Sequence, residues 1–465
     1  MLKRKPREKQ AEALSLISGK KAFALFMEMR TGKTKVIIDD WQRRPDCPDL
    51  LVIAPASVYR VWGQALHDDA VEMPLVYTWV SSERADVTPF LKHKGCRVLL
   101  MNVETLSSVE DAQNLCVDFM EQRRKVMLVI DESTIIKSHS AKRTQFITLS
   151  LAPRAAYRRI LSGLPTPRSP FDLYAQMYFL DPAILNYPNY FVFRKRYAIL
   201  KKIPVGNRSV EIVVGYRNTE ELQRKIAPHS FRVLLSECTD LPTSTYMVRE
   251  VKLTDEQKRV YKDLKKHATA ELESSDHVTA GMVIVQILRM HQVLMGRAVD
   301  ENDVTHDLGE HRIATLLELL NETSEKAVIF CSYVADVQKI TASIIKEFGE
   351  GSAARFWGGY ETREVEEARF KTDANCRFMV ATAAAGGLGR TWDCASMEVF
   401  YSSTNNLEHR MQAESRTLAV GKTQSMLYVD LIVPGTVEEE ILNALRNKID
   451  MATAITGDNY REWLV

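Results

Sequence analysis

Short apolar runs, each closed by small, polar or acidic residues, recur along this chain and alternate with stretches of helical spacing. Ala22 to Phe26 is the first and reads as a buried strand, with Lys35-Val36-Ile37-Ile38 opening a helix behind it. Leu50 to Ala54 predicts a second strand, meeting the turn Pro55-Ala56-Ser57 and then an amphipathic helix through Trp62 and Leu66. Arg97 to Met101 and Val126 to Ile130 predict two more, and Arg159 to Gly163 a strand that runs into the loop Leu164 to Arg168. Runs that are apolar throughout are those of strands covered on both faces. Their alternation with helices argues for βαβ units and a parallel sheet.

The pattern breaks between Phe171 and about Leu235, where aromatic and basic residues dominate: Tyr174, Tyr178, Phe179, Tyr187, Tyr190, Phe191, Phe193, Arg194, Lys195 and Arg196. Two readings stand, a basic aromatic surface for nucleic acid and a helical subdomain packing its aromatics inward. Asp240-Leu241-Pro242-Thr243 reads as a hinge, and Leu253 to Met295 as largely helical with a polar break near Ser274-Ser275-Asp276. A second α/β block follows, with predicted strands at Ala327 to Cys331, Arg377 to Ala381, Met397 to Tyr401 and Met426 to Val433. No internal repeat or low-complexity tract is visible.

At 465 residues the chain is too long for one small core, which fits two α/β domains. Hydrophobic residues at 45% and charged residues at 26% exclude a disordered chain. The formal net charge of +2 means that any nucleic-acid contact must come from local patches rather than a global field. Seven Cys without a Cys-x-x-Cys pair point to reduced, mostly buried thiols in a cytoplasmic protein, not a disulfide frame or a zinc site. No run reaches the roughly 18 apolar residues of a membrane span. The basic stretch Met1 to Gln10 lacks the apolar segment of a signal peptide.

Two stretches carry the chemistry. Met27-Glu28-Met29-Arg30-Thr31-Gly32-Lys33-Thr34 joins the first strand to its helix, although the strict phosphate-loop pattern wants Gly where Met27 stands. Backbone N–H groups and a helix N-terminus face an anion there, Lys33 adds a point charge, and the Thr34 hydroxyl can hold Mg²⁺. Val126 to Ile130 then delivers Asp131 and Glu132 at the end of a buried strand, where open α/β sheets bind ligands. Asp131 is placed to hold Mg²⁺ through water, and Glu132 to orient or deprotonate an attacking water. Later, Ala381 to Thr391 holds three Gly that permit close backbone approach, and Gln412-Ala413-Glu414-Ser415-Arg416 offers an Arg that could act as a finger on a γ-phosphate.

Taken in order, these stretches resemble the superfamily-two helicase core of the Swi/Snf type, especially its compact bacteriophage and bacterial forms. Gln10 sits where the family's adenine-reading Gln would be, and Phe26 to Thr34 resembles the Walker A motif with Thr31, Gly32, Lys33 and Thr34 on the nucleotide. Val52 to Ser57 with Trp62 resembles motif Ia, Asp131 to Thr134 the DEAH-like box, and Ile136-Lys137-Ser138 its basic extension. Leu161 to Thr166 is similar to motif III, and Leu288 to Gln292 to the family's helical Leu-Arg signature. Val328 to Ser332, Gly386 to Gly389, and Gln412 to Arg416 with Gly421-Lys422-Thr423 resemble motifs IV, V and VI. Three departures stand out: Arg30 and Thr391 replace the usual Gly and Asn, and Ala419 replaces the second motif VI Arg, a gap that Arg390 could fill.

The resemblance implies an α/β fold of two RecA-like lobes with parallel sheets, a helical insertion between them and an ATP cleft between the lobes. Lobe one is expected over 1–235, with the insertion at about 171–235, and lobe two over 236–465, opening with helix at about 253–295. The implied activity is a DNA-stimulated, Mg²⁺-dependent ATPase: a monomeric motor that translocates on duplex, forked or branched DNA, in the cytoplasm or a viral host's cytoplasm. The catalytic set is Lys33, Asp131, Glu132, Gln412 and Arg416, with Gly389 also at the nucleotide. DNA phosphates would lie near Ser57, Asn102, Lys137, Ser332 and Thr382. Two other readings stay open: an ATP-binding DNA clamp that hydrolyses weakly, and an RNA helicase.

Overall fold

The computed structural model describes residues 2–44, 46–80, 86–123, 125–205, 208–238, 244–274, 280–299, 304–309, 311–384, 391–404, 406–418 and 422–456. The expected hinge, the break after Ser274, and the motif residues Gly386, Gly387, Leu388, Gly389, Arg390, Ala419 and Gly421 lie outside these or at their limits. By internal contacts the chain divides into two compact units, one around each of two parallel sheets.

The first unit opens with α1 (Glu8–Ile17), β1 (Ala22–Met27), α2 (Lys33–Gln42), β2 (Asp49–Ala54), α3 (Tyr59–Asp69) and β3 (Leu75–Thr78). It continues through α4 (Thr88–Lys92), β4 (Arg97–Asn102), α5 (Glu110–Gln122), β5 (Val126–Ile130), α6 (Lys142–Gln145) and β6 (Tyr157–Leu161). α7 (Leu173–Leu180) and α8 (Tyr190–Tyr197) precede a two-stranded ribbon, β7 (Ala198–Val205) and β8 (Arg208–Tyr216), most of which groups with the second unit; α9 (Thr219–Ile226) and β9 (Ser230–Val233) belong to the first again. The sheet order is β3-β4-β2-β5-β6-β1-β9, parallel throughout. Its central strands are almost entirely buried, as continuous apolar runs require. Arg97, at the start of β4, and Arg159, in the middle of β6, are also fully buried and are tolerated because each meets a carboxylate: Arg97 binds Asp49 at 3.0 and 2.5 Å, and Arg159 binds Asp40 at 3.0 Å.

The expected helical insertion is more mixed than its sequence implies. It includes the β7–β8 ribbon, and its last segment, β9, returns to the main sheet beside β1. Ser230 to Val233 is half-exposed and alternates polar with apolar, so it lacks the continuous apolar run that marks the inner strands.

In the second unit, β10 (Ser244–Glu250) is followed by α10 (Asp255–Ser274), α11 (Ala280–Leu294), a small hairpin of β11 (Arg297–Val299) and β12 (Thr305–Asp307), and α12 (His311–Asn321). β13 (Ala327–Cys331), α13 (Val334–Phe348), β14 (Ala353–Phe356), α14 (Arg363–Thr372) and β15 (Phe378–Thr382) come next. β16 (Met397–Phe400), α15 (Leu407–Glu414), β17 (Met426–Ile432) and α16 (Val437–Thr456) follow, with α16 grouped in this unit as far as Ile449. The sheet runs β10-β17-β16-β13-β15-β14, again all parallel. The two parallel-sheet lobes expected from the sequence are thus present. The edge strands β10 and β14 were not legible in the apolar pattern.

One buried acid in this unit gives a pH prediction. Glu398 on β16 is fully buried. Its Oε1 accepts the Thr417 hydroxyl at 2.6 Å, and its other oxygen has no partner among the described residues. Burial pushes its carboxyl up to about 8, with Glu414 adding to the rise and Thr417, Arg410 and Arg416 opposing it. The unfolded chain ionises this group near 4.5, so stability is fully present below that pH and is lost as pH rises to about 8. Glu398→Gln should therefore flatten the decline of the unit's melting temperature between these limits. Parallel melting curves for parent and variant would show that the acid is ionised in the folded protein.

Candidate functional site

β1, β6 and β5 are adjacent in the first sheet, so the loops leaving their carboxyl ends meet along one edge. The β1 loop folds on itself. The Thr31 hydroxyl donates to the Glu28 carbonyl at 2.7 Å, and the Lys33 ammonium donates to the carbonyls of Met27 and Glu28 at 2.9 and 3.3 Å. Arg30 and Gly32 both take left-handed backbone, at φ 66° and 86°. That conformation costs a residue with a Cβ about 1–2 kcal/mol, which explains the usual Gly at position 30 and makes Arg30 a strained exception. At position 32 the constraint is also steric, because an added Cβ would lie 2.2 Å from Gln10 Nε2.

Gln10 is buried against this loop. Its Nε2 donates to the Thr31 carbonyl at 3.2 Å and its Oε1 accepts the Arg7 N–H at 2.9 Å. The side chain expected to read a base therefore also braces the phosphate loop. Lys33 and Thr34 open α2, where N-terminal N–H groups and the helix dipole favour an anion.

β5 presents Asp131 and Glu132 two strands away. Asp131 is 8% exposed; its backbone N–H donates to Ile53 on β2 at 2.9 Å, and its Oδ1 accepts the Glu132 N–H at 3.0 Å. The indole N–H of Trp62 donates to Asp131 Oδ2 at 2.8 Å. Burial pushes this carboxyl up, while the Trp62 hydrogen bond and the Lys33 charge pull it down. Glu132 is held at φ 50°, ψ 63°, a left-handed position that a non-Gly residue rarely adopts. Such strain gathers where the fold fixes a side chain for a task.

Between these strands, Gly163 after β6 packs against the β1 loop, where an added Cβ would meet the Met29 nitrogen at 3.3 Å. Arg232 on β9 donates to the carbonyls of Phe26 and Gly163 at 3.0 and 2.8 Å. Gln176 on α7 accepts the Ser133 hydroxyl at 2.6 Å and donates to the carbonyls of Pro165 and Asp172, both at 2.8 Å. These contacts tie the three loops together. The sequence reading assigned Arg232 and Gln176 no role, since neither lies in a motif and only the tertiary pairing brings them to the edge. Trp62 belongs to the stretch that resembles motif Ia, a resemblance that gives its indole N–H no partner.

The same edge extends outward. Ser57 is exposed on the turn after β2. Asn102 ends β4 half-buried, its Oδ1 accepting the Glu104 N–H at 3.1 Å, and Lys137 is half-buried after the turn that follows Glu132. In the aromatic stretch Phe179, Phe193 and Tyr197 are fully buried and Tyr174 nearly so, as in the inward-packing reading. Phe191 is 70% exposed beside Tyr190, whose ring stacks on His139 at 3.8 Å.

In the second unit, Ser332 is exposed at the end of β13, its N–H donating to Ser402 Oγ at 2.8 Å. Thr382 ends β15, in register with Cys331, and is buried. His291, in the Leu-Arg stretch, is buried 3.0 Å from the Tyr333 hydroxyl; burial and the charges of Arg312 and Arg297 push its imidazole down to about 3, so it is neutral. Gln412 is buried on α15. Arg416, just past that helix, is 2% exposed with its guanidinium carbon 5.8 Å from the Trp392 ring centre. Its side chain lies within its own unit rather than on the surface.

Among the described residues no three His, Cys, Asp or Glu side chains gather as a metal cluster. The Thr34 hydroxyl and the Asp131 carboxylate are hard oxygen donors of the kind Mg²⁺ takes alongside substrate phosphates and water. No helix among the described residues is long and apolar enough to cross a membrane.

Two family models together match most of the chain. The SNF2-related domain matches residues 4–298 and the helicase conserved C-terminal domain residues 311–421. The chain is 23% identical over 461 residues to the TATA-binding protein-associated factor mot1 of Aspergillus fumigatus, covering 88% of this chain and 23% of that protein. It is 24% identical over 442 residues to the DNA annealing helicase and endonuclease ZRANB3 of Mus musculus, covering 94% and 39%. A solved Sulfolobus solfataricus SWI2/SNF2 ATPase core in complex with dsDNA shares 22% identity, with 98% of this chain and 94% of that one covered at a TM-score of 0.42. The chain spans less than half the length of these curated relatives. With the SNF2-related match extending over more than half of its residues and the phosphate loop, paired acids and connecting turn meeting at one sheet edge, the chain belongs to the SNF2-related family.

Proposed function

We propose that this chain is a DNA-stimulated ATPase that translocates on double-stranded DNA and remodels duplex, forked or branched structures. The observation that carries the reading is the convergence of Lys33, the β6 turn and the Asp131–Glu132 pair on neighbouring strands. Lys33 would balance charge on the β- and γ-phosphates, and Glu132 would orient and deprotonate the attacking water. Thr34 and Asp131 would hold Mg²⁺, which when bound supplies charge neutralisation on those phosphates. Gln10 and Gly389 would line the nucleotide, and Gln412 and Arg416 would be the catalytic residues that the second unit supplies. DNA phosphates would meet Ser57, Asn102, Lys137, Ser332 and Thr382.

The compact, monomeric form of the bacteriophage and bacterial type belongs to this proposal. Its support is that only residues 299–310 separate the two family matches, which leaves no room for a module inserted there. The names of its relatives, among them a DNA annealing helicase, support DNA over RNA.

Turnover measured with duplex DNA, single strands and RNA tests the reading. Stimulation should be strongest with duplex DNA. Binding should show little sequence preference and weaken steeply with salt, because phosphate contacts release counterions. Stimulation by RNA alone, or a flat salt response, would overturn it. The burial of Arg416 favours a second reading, an ATP-dependent clamp with slow hydrolysis. ATP-strengthened DNA binding with no stimulated turnover would establish that reading instead.

A further inference from the structure

The Trp62–Asp131 hydrogen bond reaches beyond the nucleotide pocket. Trp62 is fully buried on α3 and donates to Asp131 Oδ2 at 2.8 Å. α3 continues directly from the short turn Ala56–Val58, whose Ser57 is exposed. Five helical residues rise only about 7.5 Å, so one short rigid element has its outer end at the surface and its indole on the acid. The strand leading into this element grips the same acid from the other side, since Ile53 on β2 accepts the Asp131 N–H at 2.9 Å. Asp131 is therefore held at both backbone and side chain by the segment that carries Ser57. No second donor to Oδ2 stands among the described hydrogen bonds, so the indole sets the orientation of that oxygen.

We propose that Trp62 is a positioning residue that couples DNA at the Ser57 turn to the carboxylate that holds the divalent cation. A phosphate seated on the turn displaces or stiffens α3. A hydrogen bond of this kind weakens steeply with misalignment, so small movements of the indole change how firmly Asp131 is aimed. DNA stimulation then arises at least in part from cation affinity. The inference rests on the proposed ATPase reading and deepens it, by naming a route from nucleic acid to catalytic site within the first unit.

The test measures Mn²⁺, standing in for Mg²⁺, on the full chain with ADP by the electron paramagnetic resonance of free Mn²⁺, with and without a blunt DNA duplex. In the parent, duplex should tighten Mn²⁺ binding by about 5-fold or more, the usual lower range of coupling between sites. Trp62→Phe should lose that gain while keeping ADP binding. Because Phe leaves a gap that could unfold the region, a second chain carries benzothienylalanine at position 62, which keeps the indole shape and replaces the N–H by sulfur. It should also lose the gain, whereas a purely structural Trp would not be sensitive to the exchange. An unchanged DNA-dependent gain in the benzothienyl chain, or no gain in a parent that binds both ADP and duplex, overturns the coupling. A parent that binds no ADP at all overturns the ATPase reading itself, and the coupling with it.

Discussion

Glu132→Gln should lower DNA-stimulated kcat by about 10²–10⁴-fold, the range that a positioned general base contributes, with ATP affinity close to parental. Gln keeps the shape and the backbone position but cannot take a proton from water. Glu132 sits at φ 50°, a conformation the fold imposes between β5 and the turn Ser133–Ile136, so its aim is set by backbone rather than by a mobile loop. Lys33→Ala should instead weaken nucleotide binding and turnover together, because its ammonium would act on the phosphates in both ground and transition state. Single-turnover hydrolysis beside equilibrium ATP binding separates the two. Parental kcat in Glu132→Gln would remove this carboxylate from the chemistry and return the assignment to other acids of the edge.

The largest structural effect should come from Arg410. This residue lies on α15, almost fully buried. It donates to Glu414 at 2.6 Å and in a fork to both oxygens of Asp430 at 2.5 and 2.9 Å, and it stacks 3.3 Å over the Phe400 ring. Arg410→Ala leaves two carboxylates buried without their cation, which costs about 3–5 kcal/mol. Denaturant unfolding should show that loss in the second unit. Arg410→Lys should recover only part of it, since an ammonium cannot reproduce the fork. A change under about 1 kcal/mol, the scale of a solvated surface pair, would mean that water reaches the cluster. The same helix carries Gln412 and leads to Arg416, so turnover should fall with stability in Arg410→Ala. Glu132→Gln should leave the melting temperature nearly unchanged.

The chain's own sequence determined its inner strands and the chemistry they deliver. A run such as Val126 to Ile130 can be buried on both faces only in a covered parallel sheet, and the residues that end it, Asp131 and Glu132, must then emerge at the carboxyl edge. The same logic made Lys33 legible at the head of α2. Tertiary structure alone decided what depends on pairing between distant segments. Nothing in local periodicity says that β6 lies between β1 and β5, and that order brings the turn at Gly163 against the phosphate loop. The edge strands β9 and β10 were hidden because a half-exposed strand carries mixed residues; their pairing with β1 and β17 comes from backbone hydrogen bonds that any side chain permits. Trp62 read as the apolar face of a helix and as part of the motif Ia resemblance, with no partner visible. Its N–H finds Asp131, 69 residues away, because the sheet places β2 beside β5. Arg416 shows the opposite limit: its place in a motif says nothing about its exposure, and only the tertiary structure shows it buried near Trp392.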